Sequence, residues 1–577
     1  MAGQKLELTW VGKNKPVKLE PRLLLEVPEK SYCAKTKHKG DIFDNMLIHG
    51  DNLLALKALE SKFAGQVKCV YIDPPYNTGA AFEHYDDNKE HSIWLNLMKA
   101  RLDLLKKLLS DEGILFVQID NNECAYLKVL CDEVFGRENF QTMITCKVKS
   151  QGGLTANDAM FFDCSEYILV YSKSATKVTF NFLKTAVEKI DSKSKTAKNY
   201  NQVLRNIDYS KMELIKEIDG MTYYRIPKGA FEIIRLPVAT MTAVDFYDNR
   251  NEIFRLTALS GGIGKKLKEQ TADFINNDDL FVYEYIPTRG RDAGKRSRYF
   301  LYKGNKVSYL NNYVSVDDEN KTLTKLEGAS NIIFEDLWQG IASEGGVKLN
   351  NGKKPEKLLE MIISIATNPG DLVLDSFLGS GTTAAVAHKM NRRWIGIELG
   401  DHCETHAMSR LKNVVDGTDQ SGISKSTGWQ GGGGFRFYEL APSLIKKDEY
   451  GIDVIDRNHF DAAKLAEAVC KIMGFEYAPS QDEYFIHGQS TENAFIYVTT
   501  NFMTAEHIRS ISQKLGNRHL SILCKAFDAV PADCENITIS KIPKEILDKC
   551  EWGHDDYSLN VKNLPMSEIE SEPSLNL

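Results

Sequence analysis

Apolar positions along this chain follow two rhythms, and the two alternate. Short dense runs, mostly aliphatic and β-branched, fall at Val67–Ile72, Gly113–Asp120, Glu166–Tyr171, Asp371–Asp375 and Arg393–Glu398. Between them apolar residues recur every three or four positions: Leu53, Leu54, Leu56 and Leu59; Trp94, Leu97, Met98, Leu102, Leu105 and Leu109; Leu358, Leu359, Ile362 and Ile363. The first rhythm predicts buried strands and the second amphipathic helices. Asn45–Gly50 leads through Asp51-Asn52 into the first helical pattern and on to Val67, which is a βαβ unit. Gly113–Asp120 is apolar enough to be a central strand covered on both faces, and Asn121 or Asn122 can cap the helix that follows over Glu123–Phe135. Lys354-Pro355 opens a later helix, and an Ala-rich helix is expected over Ala384–Met390. The expectation is an α/β sheet.

Residues 175–330 lose this alternation. Short mixed strands and loops are expected there, with aromatics at Tyr209, Tyr223, Tyr224, Phe246, Tyr247, Tyr283 and Tyr285. Basic residues gather at Arg289, Arg291, Lys295, Arg296 and Arg298, ending in Tyr299, and Gly261–Lys266 reads as a flexible basic loop carrying Lys265 and Lys266. Residues 441–577 return to a separate α/β pattern: helices near Phe460–Met473 and Ala505–Leu515, strands at Tyr484–His487, Ala494–Thr499 and Leu520–Lys525. The division expected is a polar arm over 1–40, two halves of one sheet over 41–174 and 336–440, an insertion over 175–335, and a C-terminal domain over 441–577, whose last stretch, 567–577, reads as disordered.

A chain of 577 residues is too long for one core, and 42% apolar with 26% charged residues is ordinary for a globular protein. The charged N-terminus predicts no signal peptide, and no apolar run approaches the ~18 to 20 residues of a membrane span, so no membrane association is expected. Eleven cysteines without a C-x-x-C pair read as reduced thiols of a cytoplasmic protein, and no metal site is expected. The net charge of −7 argues against nucleic acid, but its distribution does not. Residues 171–330 carry 27 Lys and Arg against 20 Asp and Glu, whereas 441–577 carry 13 against 22. The insertion is basic and the C-terminal domain acidic.

The candidate chemistry sits at two strand ends. Val67–Ile72 stops at Asp73-Pro74-Pro75-Tyr76, and two prolines cannot continue a ladder, so these residues form a rigid turn at the strand's carboxyl end. That edge is where open α/β sheets bind ligands. The turn offers a carboxylate, two fixed carbonyls and an aromatic ring, a set that suits a planar ring bearing an exocyclic amine. At the second end, Asp375-Ser-Phe377-Leu-Gly379-Ser-Gly381-Thr382-Thr383 precedes a helix, with glycines that let the backbone approach a ligand. Glu398 closes the next strand, placed to take both hydroxyls of a ribose. Gly261–Lys266 is not a phosphate-binding P-loop, since Leu259 stands where its first glycine belongs and no Ser or Thr follows Lys265.

Asp73-Pro-Pro-Tyr76 together with Phe377-x-Gly-x-Gly381 resembles the motif pair of the DNA amino methyltransferases that act on adenine N6 or cytosine N4. The amine-binding turn precedes the glycine loop, with a basic insertion between them, an order similar to the circularly permuted β group. Gly428–Tyr438 is similar to the modification subunits of Type III restriction–modification systems. The resemblance implies a Rossmann-like methyltransferase sheet with an inserted target-recognition domain and S-adenosylmethionine as cofactor. It implies that Asp73, Pro74, Pro75 and Tyr76 hold a flipped base. Asp51, in Gly50-Asp51, would lie near the donor's adenine, although a plain helix N-cap explains it equally. Asn77, Lys354, Pro355, Phe377, Gly379, Gly381, Thr382, Thr383 and Glu398 would surround the cofactor, and Asp375 would support its methionine end. Lys265, Lys266, Arg289, Arg291, Lys295, Arg296 and Arg298 would contact double-stranded DNA. A homodimer and a docked restriction subunit are implied for the acidic domain, in a bacterial cytoplasm with the enzyme held on the nucleoid by DNA. Asp in the first motif position and the permuted order favour adenine. Cytosine N4, an inactive specificity subunit, and methylation of RNA or protein remain as alternatives.

Overall fold

The computed structural model describes residues 7–14, 17–76, 87–149, 163–181, 184–276, 278–286, 294–347, 353–447, 453–456, 458–491, 493–542, 544–547, 549–550, 552 and 557. Two compact units emerge: Met1–Asn181 with Ser330–Leu577, and Phe182–Ala329.

The first unit is built on an eleven-stranded sheet. Its strands in chain order are β1 (Leu24–Glu26), β2 (Tyr32–Cys33), β3 (Asn45–His49), β4 (Val67–Ile72), β5 (Leu109–Ile119), β6 (Phe140–Lys147), β7 (Ser165–Ser172), β8 (Ile332–Ile333), β9 (Leu372–Asp375), β10 (Arg393–Glu398) and β11 (Gly434–Leu440). In space the order is β1-β11-β3-β10-β9-β4-β5-β7-β6-β8, with β2 also on β11. The six strands from β11 to β5 run parallel. β4 and β9, far apart in sequence, lie side by side with Val373 opposite Cys69 and Leu374 opposite Val70. The chain leaves β4 toward β5 and β9 toward β10, so the order reverses between them. That switch point is where a crevice opens at the carboxyl edge.

Helices cover both faces, as the near-continuous apolar strands require. Helices α1 (Asn52–Phe63), α2 (Asp87–Leu108) and α3 (Cys124–Phe135) bury Leu53, Leu56, Trp94, Met98, Leu102 and Leu127 on one side. Helices α4 (Glu356–Ala366), α5 (Thr382–Lys389) and α6 (Ser409–Val415) bury Leu358, Ile362, Ala385 and Leu411 on the other. At about 1.5–3 kcal/mol for each large apolar side chain removed from water, these two layers are the main stabilising element. The helix expected from Glu123 begins at Cys124, and no Asn caps it: the Asn122 side chain bonds Asp120 instead.

Other expectations change as well. The 1–40 arm is not a surface extension, because β1 and β2 pair antiparallel with β11 and Leu23 is buried in a core shared with Ala441 and Leu444. Residues 441–577 do form their own five-stranded sheet, whose last three strands (Ala494–Val498, His519–Cys524, Ile537–Lys541) are parallel, yet they belong to the first compact unit. Tyr484–His487 is not a strand there; Phe485 and Ile486 are buried loop residues whose apolar character imitates one.

The second unit carries an eight-stranded and a three-stranded antiparallel sheet. Gly261–Thr271 is a helix and not a flexible loop: Leu267 and Thr271, one turn apart, are buried and fix it on the sheet. No described helix is long and apolar enough to cross a membrane. The eleven cysteines are unpaired.

Candidate active site

The turn after β4 is rigid for the reason its prolines predict, and the structure divides its acceptors. The Pro75 carbonyl accepts the indole N–H of Trp94 at 2.7 Å and is committed to the scaffold. Among the described residues none donates to the Pro74 carbonyl. Among the described residues the Pro74 carbonyl is thus the freer of the two fixed carbonyls.

Asp73 stands in a buried network of charges. Lys354 Nζ lies 2.7 Å from its carboxylate and 3.7 Å from that of Glu166. The Tyr76 hydroxyl lies 2.7 Å from Asp73 Oδ1 and 2.9 Å from Glu166 Oε2. One hydroxyl proton cannot serve two carboxylates at once, and the ammonium supplies the remaining positive charge. Gln118 donates to Glu166 and receives the Tyr71 hydroxyl. Burial pushes the Asp73 carboxyl above its usual range, with Lys354 and Tyr76 offsetting part of the effect. Burial pulls on Lys354 in the opposite sense, but the Asp73 and Glu166 carboxylates outweigh it and hold its pKa above the ordinary value. The arrangement sets a buried lysine against a carboxylate whose pKa burial raises and the ammonium draws back down.

Across the crevice, the loop between β9 and α5 is held by its own acids. Asp375 accepts the Phe377 N–H at 2.9 Å and the Thr383 hydroxyl at 2.6 Å. Burial pushes its carboxyl up to about 7 against those bonds. Glu398 Oε2 accepts the Gly379 N–H at 2.7 Å, and its other oxygen takes the N–H of Leu399, that of Gly400 and the His402 imidazole. Burial would raise the Glu398 pKa, but these donors, His402 foremost, bring it below the usual range. Gly379 and Gly381 have φ of +56° and +81°, which only glycine adopts freely. A Cβ on Gly379 would meet nothing within 4 Å, whereas one on Gly381 would press on Ala407. The loop therefore has open space above Gly379 and close packing below Gly381. The Ser376 hydroxyl is buried without a hydrogen-bond partner among the described residues. An open glycine bend, an unused buried hydroxyl and a strand-end acid fit a ribose-bearing cofactor.

The other expected site residues divide. Phe377 packs against the same core as Tyr76, and Pro355 sits at the start of α4. Lys354 faces Asp73 and not the glycine loop. Thr382 and Thr383 point into the scaffold: Thr383 bonds Asp375, and Thr382 accepts Arg410 Nη1 at 2.7 Å. Arg410 is fully buried, and its other end meets Glu356. Asp51 is the N-cap of α1, one oxygen taking the N–H groups of Leu53 and Leu54 and the other facing Arg101 and the Tyr557 N–H. Asn77, Arg289 and Arg291 lie outside the described residues. Lys295 is exposed, and Arg296 and Arg298 both donate to Glu284. Lys265 is exposed and Lys266 pairs with Asp219. These two lysines ride the helix that packs, through Leu267, on the sheet face of Tyr283 and Leu301. Arg298 alternates with those residues and so lies on the opposite face, with Arg296 joined to it through Glu284. The described basic residues among these do not form one patch.

Glu166 and Gln118 carry no motif that singles them out in the sequence. Glu166 is the second residue of β7, which runs antiparallel to β5, so its first residues return to the carboxyl edge of the parallel strands. A charged residue at the head of an apolar strand was the available signal. Among the described residues one trio with metal-ligand types also comes together, His49, Glu404 and Glu439. The Lys30 ammonium is already 2.9 Å and 2.7 Å from its two carboxylates and serves as their cation.

A permuted α/β sheet with an Asp-Pro-Pro-Tyr turn and a glycine loop at the ends of adjacent strands defines a methyltransferase-like class. The chain belongs to the DNA methylase family, whose model matches residues 67–409. It is 40% identical over 466 residues to the probable type III restriction-modification enzyme HindVI Mod subunit of Haemophilus influenzae, covering 78% of this chain and 61% of that one. It is 27% identical to the EcoPI Mod subunit of Escherichia phage P1, over 68% of this chain and 62% of that one. It is 24% identical to the EcoP15I Mod subunit of Escherichia coli, over 81% and 76%. The chain thus spans about three fifths of the length of the first two. Among solved structures, the M1.HpyAVI–SAM complex is similar at a TM-score of 0.28 and 14% identity, over 63% of this chain and 98% of that one.

Proposed function

We propose that this chain transfers the methyl group of S-adenosylmethionine to the N6 amine of adenine in double-stranded DNA, as the modification subunit of a Type III-like restriction–modification system. The observation that carries the reading is the adjacency of β4 and β9, which sets the Asp73 turn beside the Gly379 loop at the switch point. The names of the Mod subunits it resembles support the restriction–modification setting, and Asp73 in the first motif position with the permuted order supports adenine.

Adenine N6 is a poor nucleophile because its lone pair is delocalised into the ring. The Asp73 carboxylate and the Pro74 carbonyl accept its two N–H bonds, draw the nitrogen toward tetrahedral geometry and free the lone pair. Bound at the glycine loop, S-adenosylmethionine supplies the electrophilic methyl group. The Lys354 ammonium beside Asp73 favours its ionised form, which is charge placement before the reaction begins. Asp73 is then positioned to receive the proton that the methylated amine sheds. Tyr76 stacks on the extrahelical base and offsets part of the unstacking cost, a few kcal/mol. Glu398 takes the ribose, and Asp375 supports the methionine end. The basic insertion contacts DNA, the acidic C-terminal region supports a homodimer and docks a restriction subunit, and the enzyme works in the cytoplasm on the nucleoid.

The test is methyl transfer to unmethylated DNA, with the product digested to nucleosides and identified by mass spectrometry. N6-methyladenine is expected. N4-methylcytosine would move the assignment to the other base, and no product despite measured cofactor binding would favour a specificity subunit.

A further inference from the structure

We infer that Tyr557 acts as a strap that positions the glycine loop. The inference rests on the reading of that loop as the methyl-donor site. Tyr557 follows the last helix of the C-terminal domain, yet its ring packs against the core of α1 and α2. Its N–H donates to Asp51 Oδ2 at 2.9 Å, and its carbonyl accepts Arg101 Nη2 at 3.1 Å. One residue's backbone therefore serves both members of a buried ion pair.

The pair needs it. Asp51 and Arg101 are 1% and 2% exposed, and their direct contact is long, at 3.5 Å. Without Tyr557, Asp51 Oδ2 would keep, among the described residues, only that long contact, and a buried carboxylate so poorly satisfied is costly. Arg101 is otherwise oriented by the Leu97 carbonyl at 3.1 Å and by Asn52, whose Oδ1 accepts its Nε at 2.5 Å. The Asn52 amide in turn donates to the Ser376 carbonyl at 2.6 Å. Ser376 lies between Asp375 and Phe377, at the root of the glycine loop. A continuous chain of hydrogen bonds thus runs from Tyr557 through Arg101 and Asn52 to that root, and Asp51 joins it as the cap that fixes the start of α1. The strap contributes no group to the reacting atoms. Tyr557, Arg101 and Asn52 are positioning residues, and their effect is expected on cofactor affinity.

Two truncations of the full chain separate the strap from the rest of the tail. Ending the chain after Trp552 removes Tyr557, whereas ending it after Asn560 retains it. Tyr557→Pro in the intact chain removes the donor N–H and the aromatic ring and restricts one backbone angle, while leaving the rest of the tail in place. S-adenosylmethionine affinity is read by calorimetry, methyl transfer by KM and kcat, and the glycine loop by hydrogen exchange at Ser376–Gly381. The shorter truncation and Tyr557→Pro are expected to raise the cofactor Kd and KM about tenfold, the loss of one or two hydrogen bonds to charged groups, with kcat at saturation nearly unchanged. Exchange in the loop should quicken in both, and the chain ending after Asn560 should match the full one. Unchanged affinity and exchange in the shorter truncation would overturn the strap, as would tighter cofactor binding, which would mean that the tail obstructs the site. If the intact protein binds no S-adenosylmethionine, the donor-site reading has failed, and the exchange data alone then decide whether Tyr557 holds the loop.

Discussion

The Lys354 ammonium sits 2.7 Å from the Asp73 carboxylate, joining the residue before Pro355 and α4 to the turn after β4. The family resemblance assigns this lysine to the cofactor, whereas its observed partner is the acid. The two assignments predict different kinetics. Lys354→Met removes the cation and leaves Asp73 and Glu166 facing each other in a buried place, so Asp73 should take up a proton and cease to accept from the amine. We expect methyl transfer at neutral pH to fall on the order of 100-fold, within the range of one preorganised electrostatic interaction. Cofactor affinity by calorimetry should stay nearly unchanged. A variant that keeps kcat but loses cofactor affinity would return Lys354 to the cofactor.

Which parts of this site are legible in the sequence follows from how local each feature is. Asp73-Pro-Pro-Tyr76 and Gly379-x-Gly381 dictate their own backbone, through fixed proline angles and through glycines at positive φ, so they can be read without the fold. The parallel strands are equally plain because burial on both faces makes them almost uniformly apolar. Glu166 is hidden because its place depends on the direction of β7, which no local pattern records. Lys354 lies next to a visible motif, but which acid it meets is a long-range fact. Gly261–Lys266 imitates a loop because its three glycines are conspicuous, whereas the burial of Leu267 and Thr271 decides the matter.

Glu166 should matter without touching a substrate. Its carboxylate shares the Tyr76 hydroxyl with Asp73 and balances Lys354. Glu166→Gln keeps the shape and removes one negative charge, leaving Lys354 to Asp73 alone. The closer pairing should lower the Asp73 pKa, so the acid limb of the kcat profile should move to lower pH, and kcat should fall about tenfold as Tyr76 loses its second charged acceptor. A pH–rate profile that superimposes on that of the unaltered protein would falsify this role.

Asp375 ties the pH dependence of stability to the glycine loop. Its carboxyl titrates at about 7 when folded, against roughly 3.9 in an unfolded chain. Below the lower value both states are protonated and its contribution is complete. Between the two values the unfolded chain ionises first, so the contribution declines as pH rises and is lost once pH passes the folded value. Asp375→Asn has no such titration. Denaturation midpoints of the two proteins, measured across the interval between those two values and just beyond it, should therefore differ by an amount that shifts steadily against the unaltered protein up to about pH 7 and then stays level. Parallel curves over that interval would show that Asp375 is ionised throughout.

The opposite placement of the basic residues in the insertion makes the DNA interface testable face by face. Arg296 and Arg298 share one acceptor, Glu284, which leaves a surplus positive charge, and the Arg298 guanidinium lies 5.4 Å from the ring of exposed Tyr209. A cation beside an aromatic ring on an open face suits a strand of phosphates and bases. Lys266 is neutralised by Asp219 on the other face, where Lys265 is exposed. If the arginine face meets DNA, Arg296→Ala with Arg298→Ala should weaken binding and reduce the slope of log affinity against log salt by about two, one for each phosphate no longer neutralised. Lys265→Ala with Lys266→Ala should leave that slope alone, and neither pair should alter cofactor affinity. Measured slopes that change only in the lysine pair would turn the insertion around on its DNA.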